Sequence, residues 1–197
     1  RGAGGSSGHA TTVGVREADD VATVVRYAKS SLPHTATVLF GQSMGAVAIL
    51  RAVHERRVTP DAVILEAAFD TLLNTVRNRF SSMHVPPFPS AELLVFWGGV
   101  QCGFNGFAHN PVVYAKSLAC SALVMHGDRD LRVSVAESRR VFEAVPEPKA
   151  YHEFRDIGHE SYVARYPSEW KAEVNKLLVG PTTKHPGGSG LGRTAGR

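Results

Sequence analysis

At 197 residues, 43% hydrophobic and 20% charged, the chain has the size and composition of one globular domain with a substantial core. No run approaches the about 18 apolar residues of a membrane helix, and the basic-then-apolar pattern of a signal peptide is absent from the opening. The formal charge is +4, but Lys184, Arg193 and Arg197, in an acid-free stretch after residue 179, supply three of the four charges, so a nearly neutral body has no basic face for nucleic acid.

In chain order, "VREADDVATVVRYAKSSLP" places Val21, Val24, Val25 and Ala28 at helical spacing before Pro33. Val38 to Phe40 then reads as a strand buried on both faces, and Ala46 to Leu50 as a helix packed back on it. Ala62 to Leu65 and Ala122 to Met125 are further short apolar runs. "KAYHEF" alternates, as expected of a strand exposed on one side or near a sheet edge. "VAESRRVFEAVP" and "SEWKAEVNKLL" carry helical patterns. Strands alternating with helices predict an α/β fold, a mostly parallel sheet with helices on both faces. The expected organisation is one domain over 1–179, followed by a disordered Gly-rich basic tail over 180–197. An aromatic- and proline-rich insertion from Thr71 to about Ala119 reads equally as a lid or as a satellite core.

The chemistry centres on "GQSMG", Gly41 to Gly45, between the first strand and the helix after it. G-x-S-x-G in a strand–turn–helix context lifts the Ser43 hydroxyl clear of the backbone and aims the Met44 N–H at the same point. A serine hydroxyl needs an imidazole to take its proton, and the imidazole needs a carboxylate on its other nitrogen. "HGDRD" puts Asp128 and Asp130 at the carboxyl end of the third strand, and "RDIGHE" presents His159 at the end of the fourth. Parallel strands share that end, so these groups emerge beside Ser43. Glu66 ends the second strand and is a further candidate. His126 at a strand exit reads as a structural donor, and His152 as a packed or exposed strand residue. His9, His34, His54 and His109 have no metal-ligand spacing. Cys102 and Cys120 form no C-x-x-C pattern and read as two thiols, with one disulfide as the alternative, which favours a reducing, cytoplasmic compartment over a secreted one.

With "GQSMG", "HGDRDLRV" and "DIGHE" in this order, the chain resembles the second half of an α/β-hydrolase, an esterase- or peptidase-like member. The resemblance implies Ser43 as nucleophile, Asp130 as acid in preference to Asp128, His159 as base and the Met44 N–H as one oxyanion donor. "RGAGGSSG" resembles the segment after an earlier strand of that fold, which implies that the first strands lie upstream of Arg1, that the strand over Val38 to Phe40 lacks a neighbour, and that the chain is a fragment. The expected activity is a serine hydrolase cleaving a carboxylic ester of a small-molecule acyl substrate through an acyl-enzyme. The alternatives are a peptidase or acyltransferase on the same triad, or a non-catalytic binding protein of the same fold. No metal or organic cofactor is implied, and the residues do not name the acyl group or the oligomeric state.

Overall fold

Four apolar runs form the strands β1 (Val38–Gln42), β2 (Ala62–Glu66), β3 (Ser121–Gly127) and β4 (Lys149–Phe154) of one parallel sheet, in the order β1-β2-β3-β4. The register pairs Gln42 with Glu66, Glu66 with Met125, and Gly127 with Phe154, so all four strands run out at the same end. This computed structural model describes residue 5 and residues 10–179; the tail expected over 180–197 and most of "RGAGGSSG" lie outside the described residues.

Helices cover both faces. On one lie α1 (Glu17–Ser31), α2 (Met44–Arg56), α5 (Pro111–Ala115) and α6 (Val135–Ala144), whose Ala22, Leu50, Ala115 and Val141 bury Val63, Leu65 and Val124 of the strands. On the other, α7 (Tyr162–Arg165) and α8 (Pro167–Val179) close over Ile64, Leu123, Met125 and Phe154. Successive strand residues point to opposite faces, which is why continuous runs such as Ala62 to Glu66 are buried throughout. A capping box between Ser134 and Glu137 starts α6 and so fixes where the loop after β3 must end.

Two expectations change in detail. β1 is not buried on both faces: Phe40 is 53% exposed, because β2 is its only strand neighbour among the described residues and α8 reaches it only with the edge of Trp170, 6.0 Å between ring centroids. In α1 the buried line is Ala18, Ala22 and Val25, while Val24 faces solvent; small alanines let α1 lie close against α2. Among the described residues β4 is a sheet edge, in line with its alternation.

The segment 71–119 divides. Its last part, α5 with Leu118, belongs to the main core. The first part forms α3 (Leu72–Ser82) and α4 (Ser90–Cys102), and α3 lies against the loop after β3, where Thr75 Oγ1 and Asn78 Nδ2 donate to Arg132 O. Cys102 and Cys120 are both free thiols, and burial pushes the Cys120 thiol up to about 11.

The sheet end is held to α7 by the buried Tyr162 hydroxyl, which accepts the Gly127 N–H at 2.9 Å. Tyr162→Phe would leave that N–H without an acceptor. The expected cost is about 1–3 kcal/mol, seen as a lower urea midpoint with an unchanged m-value.

Candidate active site

The turn from β1 into α2 forces Ser43 to φ 52° and ψ −114°, a conformation that β-carbon-bearing residues adopt at a cost of about 1–3 kcal/mol. Two bonds hold it there: Ser43 N–H donates to Glu66 O at 2.7 Å, and Val47 N–H donates to Ser43 O at 3.1 Å. Gly41 is required, because a Cβ there would sit 2.5 Å from the Gly45 carbonyl carbon. Among the described residues a Cβ on Gly45 would meet nothing within 4 Å, so of the two glycines that flank the turn it is Gly41 that makes the tight contact. Met44 opens α2; its N–H is among the first-turn donors that no intrahelical carbonyl can satisfy, at the positive end of the helix dipole.

At the end of β3, Asp130 Oδ2 lies 2.6 Å from His159 Nδ1. Asp130 Oδ1 accepts the Arg132 and Val133 N–H groups at 2.8 and 3.0 Å. Burial by itself would raise this carboxyl, but the His159 bond and the two backbone donors outweigh it and hold Asp130 below the usual carboxylate range. Asp128, two residues earlier, is exposed. Buried His126 faces Val133 O with Nε2 at 3.0 Å, so that nitrogen carries the proton and donates, anchoring the loop that carries Asp130. His159 sits on a loop tied to β1 by the Gln42 side-chain amide, which donates to Glu160 O at 2.6 Å. Ser43 and His159 line the same open cavity, of about 650 Å³, whose wall includes Val76, Phe80 and Leu94. His152 lies apart, its Nε2 2.8 Å from Glu169 on α8.

A family model described as serine aminopeptidase, S33, matches residues 1–89. An esterase of Pyrococcus furiosus, Pf2001, superposes with a TM-score of 0.69 at 23% identity, over 91% of this chain and 67% of that one. The chain has the α/β-hydrolase fold. Among sequences, it is 26% identical over 178 residues to the uncharacterized protein YqkD of Bacillus subtilis, and 25% identical over 141 residues to the lysophosphatidylserine lipase ABHD12 of Bos taurus. The matched regions cover 89% and 66% of this chain and 58% and 35% of those relatives, so the chain spans about half the length of one and a third of the other.

In this α/β-hydrolase fold the cavity wall beside Ser43 includes Val13, held at φ 54°. Two buried groups hold its loop. The Glu17 carboxylate accepts the Thr12 and Gly14 N–H groups at 2.8 and 2.9 Å and both threonine hydroxyls; burial alone would raise it, but these donors bring it below its ordinary value. His109 Nε2 donates to Val13 O at 3.0 Å, and burial pushes this imidazole down to about 4, so it stays neutral. Neither role is visible in the sequence, because each depends on a partner that the fold brings up: His109 reaches Val13 across 96 residues. Among the described residues no three His, Cys, Asp or Glu side chains cluster as metal ligands, and no helix is long and apolar enough to cross a membrane.

Glu66 is not in the Asp130–His159 pair. Its carboxyl is buried behind the elbow and accepts the Trp170 indole N–H at 2.6 Å, while burial pushes it up to about 7. A carboxyl raised in the folded state binds more protons there than when unfolded. Stability should therefore fall as pH rises from about 4.5 to about 7, by the order of 3 kcal/mol. Glu66→Gln should flatten that segment of the pH–stability curve measured by urea unfolding; an unchanged slope would show that another group sets it.

Proposed function

We propose that the chain performs acyl transfer as a serine hydrolase on a carboxylic ester. The observation that carries this reading is the buried Asp130–His159 hydrogen bond, with His159 and the strained Ser43 facing one cavity. Ser43 Oγ attacks the ester carbonyl while His159 Nε2 takes its proton. Asp130 holds the Nδ1–H tautomer and stabilises the imidazolium formed. The Met44 N–H stabilises the oxyanion, an effect whose loss typically costs about 10²–10³ in turnover. Collapse of the tetrahedral adduct expels the alcohol, protonated by His159, and water then attacks the acyl-enzyme with the same imidazole as base. The esterase and lipase names among the similar proteins support an ester, and the apolar cavity wall suits the hydrocarbon part of an acyl group. The aminopeptidase description of the matching family model favours an amide as the second reading.

A fluorophosphonate probe should label Ser43, identified by peptide mass spectrometry, and labelling should vanish in Ser43→Ala and His159→Ala. Asp130→Asn should lower kcat by about 10³–10⁴ at little change in folding. No labelling of a folded chain would leave a binding protein instead. Matched aryl ester and arylamide substrates decide between esterase and peptidase.

A further inference from the structure

α3 turns one stripe toward the cavity: Leu72, Val76 and Phe80 at i, i+4 and i+8, with Arg79 beside them. The loop after β3 brings Arg132 to the same cavity. Its backbone is fixed on two sides, by its N–H on Asp130 and by its carbonyl under Thr75 and Asn78.

Four arginines outside the cavity are matched to carboxylates. Arg77 pairs with Glu92, Arg129 with Asp156, Arg139 with Glu153 and Arg140 with Asp70. Arg79 and Arg132, which line the cavity, have no carboxylate within ion-pair distance among the described residues, and no Asp or Glu lines the cavity there. Both residues are exposed, and two guanidinium groups with no acid on the same cavity wall make a local positive potential beside its largely apolar lining. A guanidinium fork also matches an oxyanion in geometry as well as charge.

We infer that Arg79 and Arg132 select, among esters, those that carry a second, anionic group, a carboxylate or phosphate, at the far end of an apolar chain. The inference rests on the acyl-transfer reading of Ser43 for the ester end of that molecule. It makes the substrate an amphiphile, with the hydrocarbon against α3, the ester at Ser43 and the charge between the two arginines.

The test uses monomethyl suberate, its phosphate-terminated analogue of the same length, and neutral dimethyl suberate. Binding to Ser43→Ala is measured by calorimetry, so no turnover is needed. The expected result is about tenfold tighter binding of an anionic ligand than of the diester, the scale of one charge-assisted hydrogen bond. That preference should disappear in Arg79→Gln/Arg132→Gln and persist in Arg79→Lys/Arg132→Lys. In Ser43→Ala itself it should shrink as salt rises to about 0.5 M, a readout that stands even where the double variant fails to fold. A stronger phosphate than carboxylate preference assigns the anion as phosphate, and the reverse assigns a carboxylate. Equal affinities for anionic and neutral ligands, or a preference that survives in the glutamine variant, overturn the inference. Methanol release from monomethyl suberate by the unsubstituted chain is measured in parallel. Anion preference without turnover would overturn the hydrolase reading and leave the anion site standing.

Discussion

A carboxylate with no exposed side-chain surface has to be compensated, and around Asp130 that requirement organises the carboxyl end of the sheet. One oxygen is satisfied by the backbone of its own turn, the other by His159. Satisfying both requires the loops after β3 and β4 to approach each other, and each is anchored from beneath. The Asp128 N–H donates to Phe154 O and the Arg129 N–H to Ile157 O, both at 3.0 Å. The Asp130–His159 contact is thus backed by backbone bonds between the segments that follow β3 and β4.

Strain at Ser43 is offset by the same architecture. The residue cannot relax from its positive φ without breaking its N–H bond to β2 and moving α2 off the sheet. α2 is in turn locked by Ala46, Val47 and Leu50, which have no exposed surface. The core thus supplies the free energy that keeps a costly backbone conformation in place at a turn that by itself would prefer another shape. Glu66 takes part twice, its carbonyl fixing Ser43 and its carboxyl tying the strand end to Trp170 on α8.

The cavity is asymmetric in origin. The side carrying Ser43 and His159 is built from strand ends and tight turns, and the opposite wall from α3, whose neighbour α4 exposes Leu93, Phe96 and Trp97. The positive charges of Arg79 and Arg132 belong to the helical wall and to the loop facing it.

Much of this was legible in the residues. Apolar runs separated by helical patterns fixed an α/β fold, because buried parallel strands need continuous hydrophobic sequence and crossovers need helices. Ser43, Asp130 and His159 each sat at the end of a run, and parallel strands bring their ends together. Three things needed the tertiary structure. The exposure of Phe40 depends on which strand lies at the edge, and a five-residue run carries no record of its neighbours. Which of Asp128 and Asp130 lies beside His159 is also seen only in the structure, where Asp130 contacts it and Asp128 is exposed. Glu17, His109, Arg79 and Arg132 acquire roles only from contacts across long sequence separations or from a shared cavity. Local patterning determines which elements form and which face each buries, since those follow from periodicity and turn chemistry. What a buried charge touches, and whether an arginine is matched or left facing a cavity, is decided only when distant segments meet.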